Sequence, residues 1–61
     1  MHTIKWHFVE CSDFLKIVIK FIEQDFPCFI SLCEAAGYVR IECRKEDARA
    51  IRERLKITLR K

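Results

Sequence analysis

The feature that most constrains the fold is a pair of alternating segments separated by the only glycine of the chain. Side chains of opposite character alternate over residues 28–33 and again, in the opposite parity, over residues 38–43. Such alternation is typical of strands with one buried face. A four-residue loop that ends on Gly37 can close a hairpin, because glycine tolerates a left-handed backbone. The predicted register pairs Cys28 with Cys43, Phe29 with Glu42, Ile30 with Ile41, Ser31 with Arg40, Leu32 with Val39, and Cys33 with Tyr38.

A strand and a helix are predicted before this hairpin. Residues 3–9 alternate, which predicts a strand that turns three side chains inward: Ile4, Trp6 and Phe8. Ser12 is a suitable helix N-cap and Pro27 cannot continue a helix, so the helix is predicted to end near Asp25. The residues that repeat at helical spacing, and so predict the core-facing stripe, are Phe14, Leu15, Val18, Phe21, Ile22 and Phe26, with Ile17 and Ile19 flanking them.

A second helix is predicted from Lys45 to the end of the chain, with an apolar stripe of Ala48, Ile51, Leu55 and Leu59. The element order is therefore β-α-β-β-α. This order predicts an α+β two-layer sandwich, with a three-stranded mixed sheet and two helices on one face. The first two strands are expected to be parallel if they share a sheet, with a right-handed crossover through the first helix. Because 61 residues allow one small core, residues 1–61 are predicted to form a single domain.

Charge is distributed unevenly along the chain. Residues 44–61 contain eight Lys or Arg and three Asp or Glu, whereas residues 1–43 contain four and six. A basic segment of this kind either forms a solvated helix face or contacts an anionic partner. The second helix is therefore the first candidate for a partner contact, and its candidate residues are Arg49, Arg52, Arg54, Lys56 and Arg60.

The sheet face without helices is a second candidate surface. By parity it carries aromatic and basic residues side by side, and the candidates for binding are Lys5, Phe29, Tyr38 and Arg40. Aromatic rings that stack unpaired bases and cations that neutralise phosphates are the means by which a sheet binds single-stranded nucleic acid. The alternative is plain sheet stabilisation, or a contact in a homodimer formed through an edge or a face of the sheet.

The four cysteines indicate no cofactor. Cys11, Cys28, Cys33 and Cys43 contain no Cys-x-x-Cys pair of the kind that binds zinc, so we expect no metal site and small, reduced, partly buried thiols. Cys28 and Cys43 are expected to approach each other and to remain reduced in the cytosol, whereas an oxidising compartment would favour a disulfide between them. Cys33 and His7 share the open face, but they have no third orienting group, and one glycine cannot form a phosphate-binding loop. We therefore expect neither an enzyme nor a bound cofactor.

The predicted location depends on whether the sequence contains a membrane-spanning segment or a signal peptide. The longest apolar stretch, residues 14–22, is interrupted by Lys16 and Lys20 and is shorter than the roughly 18 residues of a spanning helix. Residues 1–9 contain no continuous apolar signal region. We therefore expect no membrane association and a cytoplasmic location.

The element order, the Phe26-Pro27 stop, and the opening of the second helix at Lys45-Glu46-Asp47, with Ile51 and Leu55 following, suggest a family. In these features the chain resembles the DinI-like proteins, small regulators of the bacterial DNA-damage response. The resemblance implies the predicted fold and a role in binding the RecA recombinase filament. In that family the second helix is acidic, whereas here only Glu46, Asp47 and Glu53 match that charge.

A further alternative is an artificial sequence made to fill a backbone. The chain has no Asn, one Gln and one Gly, and its connections are short. Such a scaffold would have a defined fold without a biological activity.

Overall fold

The computed structural model describes residues 1–59, and the candidate contact residue Arg60 and the side chain of Leu59 lie outside that description. The elements are β1 (His2–His7), α1 (Asp13–Asp25), β2 (Cys28–Cys33), β3 (Tyr38–Cys43) and α2 (Lys45–Lys56), followed by a short 3-10 turn (Ile57–Leu59). The predicted α+β class, the element order and the end of α1 are confirmed.

The second helix ends earlier than predicted. Its α-helical part stops at Lys56, where the tighter 3-10 turn begins. Ile57 and Thr58 are β-branched and fit a helix less well, and the Thr58 hydroxyl donates a 2.6 Å hydrogen bond to the Leu55 carbonyl. This local bond satisfies a helix-end carbonyl and favours the turn.

The sheet has the order β1-β3-β2, and both of its ladders are antiparallel. The expectation of a mixed sheet is therefore wrong. β1 and β2 do run in the same direction, but β3 lies between them, so they do not pair. This order puts the three inward residues of β3 at the centre of the sheet, where they are fully buried: Val39, Ile41 and Cys43. All six predicted residue pairs of the β2–β3 hairpin are confirmed.

Both helices pack on one face of the sheet, as predicted. The buried core consists of Ile4 from β1, Val39, Ile41 and Cys43 from β3, Leu15, Ile19 and Ile22 from α1, and Ala48, Ile51 and Leu55 from α2. β2 contributes no fully buried residue: Cys28 and Ile30 are partly buried against the core, and Leu32 remains 37% exposed.

The core stripe of α1 differs from the prediction. Ile19 is 8% exposed and belongs to the core, whereas Phe14 and Phe21 are 46% and 56% exposed. Apolar residues cover more than half of the circumference of this helix, so the period alone could not choose between neighbouring stripes. Leu15, Ile19 and Ile22 lie within an arc of about 60° at 100° per residue, and this arc faces the sheet.

The helix starts as the sequence predicts. The Leu15 N–H donates a 3.1 Å hydrogen bond to Ser12 Oγ, which caps the first turn. At the other end, the Phe26 N–H still donates to the Ile22 carbonyl before Pro27 ends the helix. These local contacts fix where α1 lies along the chain and leave its rotation to packing.

Candidate interaction surfaces

The first candidate surface is one side of α2. At about 100° per residue, four basic residues share this side, which we call the basic flank: Lys45, Arg49, Arg52 and Lys56. All four are exposed. Lys45 was not among the predicted contact residues, although its i, i+4, i+7 spacing with Arg49 and Arg52 would have identified it.

The arginines of α2 divide into two kinds. Arg49 and Arg52 have no ion pair within the described residues. Arg54 projects about 200° away from Arg52, toward α1, where it pairs with the Asp25 carboxylate. Its guanidinium carbon also lies 5.2 Å from the centre of the Phe26 ring. Arg54, predicted as a contact residue, is thus engaged in helix packing.

Ion pairs also occupy other cations of the chain. Lys56 Nζ lies 3.2 Å from Glu53 Oε1 on the same helix. Arg44, just before α2, pairs with Asp47 at 2.9 Å, and this contact raises the pKa of the guanidinium. Within the part of the chain that the structure describes, Arg49 and Arg52 are therefore the arginines left without a carboxylate.

The second candidate surface is the open sheet face, whose composition is confirmed by the burial pattern. The rows across β1, β3 and β2 are Thr3, Glu42 and Phe29, then Lys5, Arg40 and Ser31, then His7, Tyr38 and Cys33. The four predicted candidates, Lys5, Phe29, Tyr38 and Arg40, share this face.

Tyr38 is already engaged on this face. Lys5 Nζ lies over its ring, 4.6 Å from the ring centre, and the His7 ring centre is 5.8 Å away. A hydrogen bond with the Cys33 side chain raises the pKa of the Tyr38 hydroxyl. A nucleic-acid base could stack on Tyr38 only after Lys5 had moved.

Phe29 is open but distant from Tyr38. It is 72% exposed. Because Phe29 lies opposite Glu42, four residues along β3 from Tyr38, the backbone positions that carry the two rings are about 13 Å apart along the strand direction. Bases stacked in succession are about 3.4 Å apart. The two rings therefore cannot stack neighbouring bases, and Arg40 between them pairs with Glu42 at 3.4 Å.

The cysteines do not assemble a reactive site. Tyr38 lies between His7 on β1 and Cys33 on β2, so the backbones of these two residues stand two strands apart, at about 10 Å. All four cysteines are free thiols. Burial raises the pKa of Cys28 and Cys43, and it does the same for Cys11, together with the neighbouring Glu34. Raised pKa values keep the thiols of Cys11, Cys28 and Cys43 protonated and weakly nucleophilic at neutral pH.

Glu34, at the hairpin turn, forms a small polar cluster with Lys16 and Cys11. Lys16 Nζ lies 3.3 Å from Glu34 Oε1. Hydrogen bonds from the Cys11 thiol and from Lys16 lower the pKa of the Glu34 carboxyl. The cluster thus joins the start of α1 to the β2–β3 turn by an exposed ion pair.

Over residues 1–59, no group of three or more His, Cys, Asp or Glu side chains could hold a metal ion. No described helix has the length and apolar character needed to span a bilayer. Comparisons with protein-family models, with curated proteins and with solved structures found no match.

Proposed function

We propose that this chain is a binding module without catalytic activity, and that its basic flank contacts an acidic surface of a protein partner. The observation that carries the proposal is the sorting of the arginines. Arg49 and Arg52 are exposed on one side of α2 without a carboxylate partner in the described chain, whereas Arg40, Arg44 and Arg54 are ion-paired. A cluster of exposed cations steers association with an anionic partner and makes the affinity depend on the salt concentration.

The RecA filament is the partner to test first, because the resemblance to DinI-like proteins implies it. The contact would differ in sign from one made through an acidic second helix. It would use the basic flank against carboxylates of the filament, chiefly through Arg49 and Arg52, because Lys56 already pairs with Glu53.

A pull-down with RecA filaments assembled on single-stranded DNA tests this proposal. The test variant is Arg49→Ala/Arg52→Ala, which removes two cations from the basic flank. The matched control is Lys5→Ala/Arg40→Ala, which removes two cations from the open sheet face. We expect retention by the filament that weakens as salt is raised, an affinity reduced by about tenfold or more in the test variant, and little change in the control.

Single-stranded DNA without RecA separates the two kinds of acidic partner. If the basic flank binds nucleic acid directly, the affinity for the bare oligonucleotide falls steeply with salt, and losing two contacts lowers the log-log slope by roughly 1.4. Binding to the bare strand that equals binding to the filament would replace the protein partner with nucleic acid. No retention by either would refute the proposed function.

A further inference from the structure

The two edges of the sheet differ in charge. β1 carries Lys5 and two histidines, whereas β2 carries no charged residue from Cys28 to Cys33. Edge strands are usually protected from pairing by charges, prolines or bulges. β2 lacks such protection within its six residues, so its free backbone groups can accept another strand.

The apolar side chains of β2 are only partly covered. Leu32 lies on the helix-covered face, yet it is 37% exposed. Phe29 is 72% exposed on the open face. A strand added at this edge would bury apolar surface on both faces of the sheet.

The charges beside the β2 edge favour a second copy of the chain. Asp25 of α1 reaches Arg54 of α2, and Glu23 lies about 200° from Asp25 around the helix, so Glu23 is on the side of α1 away from α2. Lys16 and Lys20 share this side. A twofold axis at the edge makes the two α1 helices antiparallel, so Lys20 of one copy meets Glu23 of the other, while Lys16 is paired with Glu34 of its own copy.

The same argument excludes the β1 edge. The basic flank lies on the side of α2 away from α1, and α2 is the helix that contacts β1. Pairing two β1 edges would bring two basic flanks together, and like charges in contact are repulsive. Pairing is thus favoured at the β2 edge and disfavoured at the β1 edge. We therefore expect a closed dimer and not an open chain of sheets.

We propose that two copies of the chain join through antiparallel β2 strands into one continuous six-stranded sheet. Residues that lie directly opposite each other in an antiparallel ladder point to the same face of the sheet. A register centred on Ser31 meets this requirement, because it places Leu32 of each copy opposite Ile30 of the other, and both residues face the helices. The dimensions agree. Six strands at about 4.8 Å span about 24 Å, and four helices at 8–10 Å span about 24–30 Å, so the α1 helices cover the joint.

The experiment is sedimentation velocity over a range of concentrations, with reductant present to prevent disulfide-linked species. The test variant is Ser31→Lys and the matched control is Thr3→Lys. Each places one cation on the open face of an edge strand at an exposed position. Circular dichroism establishes that both variants remain folded.

We expect a monomer–dimer equilibrium in the unchanged chain, a dissociation constant raised about tenfold or more in Ser31→Lys, where two cations face each other across the axis, and no change in Thr3→Lys. Glu23→Lys should weaken the dimer as well. A monomer at all concentrations, an equal effect of both edge variants, or growth beyond two copies would overturn the proposal. The RecA pull-down is independent of this outcome, because the basic flanks lie at the outer edges of the dimer.

Discussion

Arg54 and Asp25 form an ion pair that joins α2 to the end of α1, the only one between these helices within residues 1–59. The Arg54 guanidinium also covers the Phe26 ring. A residue of the basic helix thus contributes to packing, while its neighbour Arg52 points away into solvent. The two arginines differ by two positions in sequence and by about 200° around the helix.

Arg54→Ala is expected to lower the free energy of unfolding by about 1 kcal/mol, because it removes a partly exposed ion pair and a cation–π contact. Arg52→Ala should change the free energy of unfolding by less than about 0.5 kcal/mol, since Arg52 is exposed and makes no ion pair within residues 1–59. Urea unfolding of both variants measures the difference. Equal losses would contradict the division of the arginines into packing and exposed residues.

Ile19→Ala should cost about 2–4 kcal/mol, because it leaves a cavity under α1. Phe21→Ala removes more atoms but should cost about 1 kcal/mol or less, because Phe21 is 56% exposed. The urea concentrations at the unfolding midpoints of the two variants measure the difference in stability. The reverse order would show that α1 presents the stripe that its sequence period predicts, and not the one found.

Gly37→Ala should destabilise the chain by about 1–2 kcal/mol, because Gly37 has a φ of 75°, where a side chain is strained. An added Cβ would also stand 3.3 Å from the Phe8 carbonyl oxygen. Thermal unfolding measures the loss. Ala35→Ser, in the same turn, is the control and should be nearly neutral; similar losses in both would mean that the turn does not need this backbone conformation.

Stability should fall in alkaline solution. Burial raises the pKa of the Cys28 and Cys43 thiols above the ordinary value of 9.0. The unfolded chain therefore loses these protons at lower pH than the folded chain, so the stabilisation is complete below pH 9.0 and is lost as the pH rises above it. Urea unfolding with reductant, between about pH 8 and pH 10, measures this slope.

The Cys43→Ala variant is the control for that slope. Its absolute stability is expected to be lower, because Cys43 is fully buried. Its decrease with pH should be shallower, since one titrating thiol is gone. A slope that is unchanged in the variant, or a stability that rises with pH, would contradict burial as the cause.

The sequence by itself determined the local features of this protein. The opposite parities of residues 28–33 and 38–43, with Gly37 at the turn, were enough for all six residue pairs of the hairpin, and Ser12 and Pro27 were enough for the ends of α1. Each of these depends on steric and hydrogen-bonding preferences within a few residues of the chain.

The tertiary structure alone decided which strand is central, which side of α1 is buried, and which cations remain free for a partner. A strand period defines two faces but not a neighbour, so β1 could not be assigned beside β3 from its own residues. A pattern of apolar residues cannot distinguish Ile19 from Phe21, because both are apolar. A count of charges likewise cannot distinguish Arg52 from Arg54. Their different environments arise from contacts between residues far apart in sequence, such as that of Arg54 with Asp25, and those contacts exist only once the helices pack on the sheet.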